Sequence, residues 1–591
     1  MPDGWSSRVA DPAREVQAWL RAQCGDAVRP LGKGECARFA AHSIERGWEI
    51  SVDLAGATRV LLVLLPSGFP YARPRIALAS EETLLRWPHF EELGLACLPA
   101  RPIIAEEPVE AVRAALEDAC ELIRQCAGGD NAAEFRREFI SYWGRSLRGD
   151  KRPIRSLLTP GGPTRRIAVW RGASWHVVGE DREAVARWLA YAGVDKPAAG
   201  YAIQDGLLIS LPQPPIPADY PNTISALRAW LERDAPASLP LLNELTDAQA
   251  HIMAVLEAPT ESGPGFVAVC LAGTAEPKVN GFRPGHAPAR LRRDAWLAKA
   301  ALSRLKVERV DAAWIHGRGH DPAQPILYGK TVAILGCGAV GSLSAIRLAQ
   351  SGLGGLILVD PQSLEGPNAG RHALGVRSVG FGKATSLAQE IGRRFPHMQT
   401  IDALPRSWAT LSDAERERIA QCDLIVCAIG DWAAEGPINE WHQARGAVPP
   451  IVYGWMEERG AAGHALALLR PGGCIACLLN PNGSMRDPET HWQEGNMLRA
   501  EPACGVLYQP FGPVELGYVE MLVADLALDV LLGAVTDNTH RICATSSARL
   551  AQLGGAWTAS HTLLRPLGLK GHFTTDRPFS ARADCPVCSG E

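Results

Sequence analysis

"KTVAILGCGAVGSLSAIRLAQSGLGGLILVDPQSLEGPNAGR", residues 330–371, decides the fold of the C-terminal half of this chain. An apolar run breaks at glycines, resumes with helical period, and is followed by a second apolar run that stops at Asp360, which predicts a strand, a helix and a second, parallel strand. The glycines divide the work. Gly336 and Gly338 let backbone approach a phosphate, Gly341 lets the helix lie close on the strand, and the helix N-terminus attracts negative charge. Asp360 lies 24 residues after Gly336, the usual distance for a carboxylate that takes a ribose hydroxyl. These residues by themselves predict a nucleotide-binding βαβ unit.

Outward from that unit, 591 residues are enough for about three or four domains, each with its own core. A net charge of −4 with 21% charged residues excludes a broad basic surface, so no direct contact with nucleic acid is expected. The N-terminus lacks a basic flank followed by an apolar stretch, and "VLLVLL" is far short of the ~20 residues that span a bilayer. A cytoplasmic protein is expected. Fifteen irregularly spaced cysteines then read as reduced thiols, with Cys24, Cys36, Cys120, Cys270, Cys422 and Cys427 in apolar or helical contexts that suit buried structural thiols.

Residues 1–145 predict an α+β unit: "RVLLVLLPSGFPYARPRIAL" gives a strand, a Pro-rich turn and a short strand, and "PVEAVRAALEDACELIRQCA" gives a helix. The Gly, Arg and Pro-rich "GRSLRGDKRPIRSLLTPGGPTRR" reads as a linker. The middle region to residue 300 mixes strands ("RIAVW", "GLLISL", "GFVAVCLAG") with the helix "TISALRAWLERD", and no chemistry declares itself there.

After Asp360 come Asn368 and Arg371, then "GFGKATSLAQEI" with Lys383, and "CDLIVCAIGDW" ending at Asp431. In that order these residues resemble the ubiquitin-activating and ThiF/MoeB adenylyltransferase superfamily. The resemblance implies a Rossmann-like adenylation domain over 301–591 that binds ATP and Mg2+, with Lys383 on phosphate and Asp431 on the metal. Arg371 and Lys383 suit the departure of pyrophosphate, because both can neutralise its charge. Gln362 stands where many relatives have a second Asp, and Gly430 where some have the acid placed here at Asp431.

"CIAC" (Cys474, Cys477) and "CPVC" (Cys585, Cys588) are two C-x-x-C knuckles that can supply four thiolates to one tetrahedral Zn2+, redox dithiols being the alternative. The same superfamily often carries this pair, which favours zinc. Between the knuckles, Cys504 precedes an apolar helix and resembles the crossover-loop cysteine of activating enzymes, including those of autophagy. A cysteine near a helix N-terminus gains thiolate character, which suits attack on an acyl-adenylate. Cys543 is the alternative first acceptor.

Near the other end, "WPHFEELGLACL" (87–98) keeps the Pro (Pro88), Gly (Gly94), Cys (Cys97) and Leu (Leu98) spacing of ubiquitin-conjugating domains, with Trp87 and His89 in place of the usual His and Asn. The resemblance makes Cys97 an acyl carrier, and His89 either an oxyanion stabiliser or a base. A conjugating-like domain, a middle region and an activating-like domain in one chain resemble the bacterial fusion of CBASS antiphage systems. That implies a homodimer which adenylates the C-terminal glycine of a cGAS-like nucleotidyltransferase, passes it from Cys504 to Cys97, and joins it to target lysines. A sulfur-carrier adenylyltransferase of the ThiF/MoeB type and an inactive binding scaffold are the competing readings. The first leaves residues 1–145 without a task, and Arg371, Lys383, Asp431, Cys504 and Cys97 oppose the second.

Overall fold

The computed structural model describes residues 11–79, 83–102, 105–129, 131–194, 202–274, 277–283, 286–318, 320–492, 499–500, 507–508, 510–564 and 571–589. The chain is a multidomain α/β and α+β protein built on three main sheets. In the first, strands Arg29–Pro30, Ile44–Leu54, Ala57–Pro66 and Arg75–Leu78 pair antiparallel in chain order. Helix Pro108–Gly128, opened by a proline whose missing N–H costs nothing there, lays Val112, Ala119 and Ile123 against Ile50, Leu61, Val63 and Ile76.

A closed seven-stranded barrel follows, in the order Gly265–Ala272, Ala301–Arg309, Ile154–Ser156, His176–Gly179, Arg165–Arg171, Gln204–Ser210, His251–Ala258. Period-two alternation fills it: Ile167, Val169, Leu208, Phe266 and Ala268 meet inside, while Leu207, Ile209, Val267 and Val269 face helices outside. The stretch read as a linker contributes Ile154–Ser156, whose Ile154 and Ser156 are fully buried between two parallel neighbours, and the strand 301–309 completes the closure.

Two short helices, Ala132–Arg137 and Phe139–Arg145, bridge the first sheet to this barrel. Phe135, Phe139 and Trp143 share a core with Leu207, Leu227, Trp230 and Val267, and the Trp143 indole N–H donates to the Leu305 carbonyl at 3.0 Å.

In the third sheet the eight described strands run in the order Thr400–Leu404, Gly355–Val359, Thr331–Leu335, Leu424–Cys427, Ile451–Met456, Ala462–Leu468, Thr539–Ala544, Phe573–Pro578. The first five are parallel and the rest antiparallel. Strand order reverses between Thr331–Leu335 and Leu424–Cys427, and such a switch point opens a crevice at the carboxyl ends of the strands. Among the described residues no helix is long and apolar enough to cross a membrane.

Candidate functional site

The glycine loop leaves the strand at that switch point. Gly336 has φ +89°, and a Cβ there would meet the Ala428 carbonyl oxygen at 2.8 Å; at Gly341 a Cβ would lie 1.9 Å from the Gly336 carbonyl oxygen. Side chains are excluded at both positions by backbone. At Gly338 a Cβ would meet nothing within 4 Å, so the N-terminus of helix Ala339–Gln350 faces open space where an anion can approach its free N–H groups. A cavity of about 700 Å3 lies there, with Gly338, Val340, Gly430, Glu435, Trp455 and Glu457 in its wall.

Asp360, almost fully buried, accepts the Cys337 N–H on one carboxylate oxygen and the Gln362 N–H on the other, both at 2.8 Å. It therefore ties the glycine loop to the strand Gly355–Val359. Lys383 opens helix Lys383–Arg394 and donates from Nζ to the Gln362 side-chain oxygen at 2.7 Å. Gln362 is neutral, so this bond is not an ion pair, and the Asp360 carboxylate accepts the backbone N–H of the same Gln362. Asn368 caps its own 3-10 turn by accepting the Glu365 N–H at 3.1 Å, a role within the loop. The Arg371 guanidinium stacks on Phe511, 4.8 Å from the ring centre and two residues before helix Pro513–Leu531. Asp431 is exposed and caps helix Trp432–Ala444, accepting the Ala433 N–H at 3.1 Å.

Two residues that the sequence reading passed over also shape this cleft. His372 accepts the Leu374 N–H at Nδ1, so its Nε2 carries the proton and donates to the Cys337 carbonyl at 2.7 Å; burial lowers its pKa and keeps the ring neutral. Glu435 accepts the Gly430 N–H at 3.0 Å, and burial raises its carboxyl to about 6. An Asp followed four residues later by a Glu on one helix was the available signal for Glu435.

Cys97 sits at the end of a tight hairpin, far from these residues in sequence. The Cys97 N–H donates to the His89 carbonyl at 2.7 Å and the Ala96 N–H to the Ile76 carbonyl at 2.9 Å, which ties the loop to the first sheet. Cys97 is exposed, although burial of its sulfur and then Glu91 and Glu138 raise the thiol pKa. His89 holds a left-handed conformation, φ +60°, and its N–H donates to the Tyr142 hydroxyl at 2.8 Å. Its Nε2 lies 3.1 Å from Glu134. Trp87 packs edge-on to Phe90 beneath Arg59, a structural place in the loop.

The two knuckles converge: the sulfurs of Cys474, Cys477, Cys585 and Cys588 lie within 4.8 Å of one another, with Cys474 and Cys585 3.6 Å apart. Four sulfurs at that spacing fit a tetrahedral Zn2+ and join the C-terminal segment to the loop after Ala462–Leu468. Cys504 lies outside the described residues. Cys543 is buried in strand Thr539–Ala544, and burial raises its thiol to about 11, an unfavourable setting for a nucleophile.

The ThiF family matches residues 318–553, and prokaryotic E2 family B matches residues 28–150. Over 80% of this chain and 84% of its own, the ATP-dependent ubiquitin transferase-like protein Cap2 of Pseudomonas aeruginosa is 24% identical. Ubiquitin-like modifier-activating enzyme 5 of Drosophila ananassae is 29% identical over 25% of this chain and 39% of its own. A structure of E. coli MccB with AMPCPP aligns at 16% identity over 45% of this chain and 68% of that one, with a TM-score of 0.31.

Proposed function

Because the chain joins a prokaryotic E2 family B domain to a ThiF-family domain, and is thus an enzyme of the ubiquitin-activating and ubiquitin-conjugating kind, we propose that it activates the C-terminal glycine of a partner protein and conjugates it to target amines. The observation that carries the reading is the presence in one chain of a glycine-loop cleft with Lys383 at a helix start beside it and an exposed hairpin cysteine.

ATP enters the switch-point cleft with its phosphates toward the Gly338 helix N-terminus, Lys383 and Arg371. Asp360 orders the loop at the ribose end, Asn368 belongs to the loop that follows it, and Asp431 would hold Mg2+. The metal supplies charge neutralisation on the phosphates when bound. The carboxylate of the partner's glycine attacks the α-phosphorus and pyrophosphate leaves. Cys504 then attacks the acyl carbon as AMP leaves, and Cys97 takes the acyl group by thiol exchange before an amine removes it. A cGAS-like nucleotidyltransferase is the partner this reading favours, in antiphage defence.

Two structural roles complete the proposal. Zn2+ would be held by Cys474, Cys477, Cys585 and Cys588 as a clamp on the C-terminal segment, and no step passes through it. Helix Pro513–Leu531 leaves Val514, Tyr518 and Met521 exposed on one face, which supports a homodimer through the adenylation domain.

ATP–pyrophosphate exchange with a glycine-ended partner, followed by a non-reducing gel, tests the relay. Cys504→Ala should retain exchange and lose both thioesters, and Cys97→Ala should still charge Cys504 but form no conjugate. Normal charging of Cys97 in Cys504→Ala would replace the relay with direct transfer.

A further inference from the structure

A buried polar chain stands behind one wall of the 700 Å3 cavity. Glu457, 5% exposed, follows strand Ile451–Met456 and accepts four hydrogen bonds on its two carboxylate oxygens. Oε1 takes the His464 Nε2–H at 3.0 Å and the Glu489 backbone N–H at 2.6 Å. Oε2 takes the Thr490 backbone N–H at 2.8 Å and the Thr490 hydroxyl at 2.5 Å. On the far side of His464, Nδ1 meets Nε2 of His540 at 3.1 Å. A carboxylate buried this deeply is costly unless its lone pairs are filled, and here each oxygen has two donors.

Each arm of the chain ends on a tryptophan of the cleft. The Thr490 hydroxyl, donating to Glu457, accepts the Trp492 indole N–H at 3.1 Å. His464 lies opposite Trp455 on the neighbouring antiparallel strand, and the two rings stack 4.9 Å apart at 11°. Trp455 and Trp492 both line the cavity, with Met456, Leu479 and Met485 beside them. Gly555 leaves room for Trp492, since a Cβ there would meet the indole at 2.9 Å. This wall does not suit phosphate: no lysine or arginine occurs among the described residues that line the cavity, and the Glu458 carboxylate has neither a hydrogen-bond nor an ion-pair partner among them. Indoles and thioethers beside an unpaired acid gain by covering apolar carbon and repel anions.

Resting on the reading that this cleft activates a glycine-ended partner, we propose that Trp455 and Trp492 form a specificity face for an apolar side chain close to that terminal glycine, and that Glu457 is the positioning residue which holds both indoles. The preferred partner tail carries an aromatic or aliphatic residue there and no acid. Glu457 touches neither nucleotide nor tail in this scheme. It acts through Thr490 on Trp492 and through His464 on Trp455. An amide in its place has one acceptor oxygen and turns its NH2 toward two donors, so Glu457→Gln breaks the bonds on one of the two arms.

The test measures ATP–pyrophosphate exchange by the full chain with synthetic Ser/Ala peptides ending in glycine, in which a single Phe, Ser or Glu is walked through the positions just before it. At one position Phe should lower the peptide KM about tenfold relative to Ser, and Glu should raise it, with kcat little changed. Trp492→Ala should abolish the preference for Phe, and Trp492→Phe should restore part of it. Glu457→Gln should raise the KM of the Phe peptide about tenfold and leave the KM for ATP within about twofold. Thr490→Val, which keeps the shape and removes only the hydroxyl between Glu457 and Trp492, should act in the same direction by a smaller factor that Thr490→Ser reverses; it carries the test if Glu457→Gln does not fold. Equal KM values for Phe, Ser and Glu at every position, or a preference for Phe unchanged in Trp492→Ala, overturn the specificity face while activation stands. A rise in the KM for ATP equal to that for peptide in both Glu457→Gln and Thr490→Val overturns the positioning role. Absence of exchange with every glycine-ended peptide overturns the activation reading, and the face with it.

Discussion

The nucleotide cleft and the Cys97 cleft are assembled in opposite ways. In the first, the glycine loop, Asp360 and Lys383 come from 48 consecutive residues, and each is placed by a strand end or a helix start next to it in sequence. In the second, the hairpin 87–98 gains its far wall from helices at 132–145, which a barrel of residues 154–309 holds in place. A local site tolerates changes elsewhere in the chain, whereas a composite site inherits the stability of every part that frames it. The middle barrel, mute as chemistry, thus has a mechanical task.

Breaking the frame should give the largest effect. Trp143→Ala removes a fully buried indole and its bond to Leu305, at an expected cost of about 3–5 kcal/mol. Urea unfolding should show this as a lowered midpoint. At low temperature, discharge from loaded Cys97 should become slower while pyrophosphate exchange persists; loss of both together would make the two clefts one unit. A somewhat smaller effect is expected from Lys383→Ala, roughly 100-fold in pyrophosphate exchange, since the proposed mechanism gives this charge the leaving phosphate to neutralise. Loading of Cys97 from a chemical thioester should be unchanged in that variant. Reduced loading would show that the nucleotide side reaches Cys97, against the contrast drawn here.

The same contrast governs what could be read from sequence. Gly336 and Gly341 were legible from the βαβ pattern, which brings Gly341 against the Gly336 carbonyl, although the Ala428 backbone that crowds Gly336 follows a strand outside that unit. Gln362 could be seen to depart from the family, but its bond to Lys383 depends on a loop fold that no period encodes. His372 was invisible for the same reason, since it satisfies a backbone group of a neighbouring loop, whereas Glu435 had a signal in its spacing from Asp431 but not in its bond to Gly430. In the N-terminal part the strand, turn and helix were legible, and Cys97 came from spacing. Glu138 and Tyr142 were not, since their partner His89 lies about fifty residues away and the helix face that selects them is set by the barrel. The barrel strand Ile154–Ser156 hid in an Arg and Pro-rich stretch, three residues being too few to show alternation.

The smallest expected effect concerns the seam between the barrel and the nucleotide sheet, where Trp188 and Leu157 of the barrel region and His397 share a small cavity. His397 and His316 face each other there, Nε2 to Nε2, at 2.7 Å. Burial, and then His316, lowers His397 from 6.5 to about 4. The sign follows from linkage. Folding favours the neutral ring, so stability from this group is complete above the unfolded pKa near 6.5 and drains away as pH falls toward 4, because the unfolded chain takes up the proton first. Between pH 7 and pH 5 the loss is about 2 kcal/mol. His397→Gln keeps a polar side chain without titrating, so its urea midpoint should fall less than the parent's over that interval. Neither cleft contains His397, and pyrophosphate exchange and Cys97 loading measured in the variant at pH 7 should match the parent. An equal acid loss in variant and parent would shift the cause to other imidazoles whose pKa burial lowers, among them His316 at the same seam, His372, His442 and His540, and would remove His397 as its source.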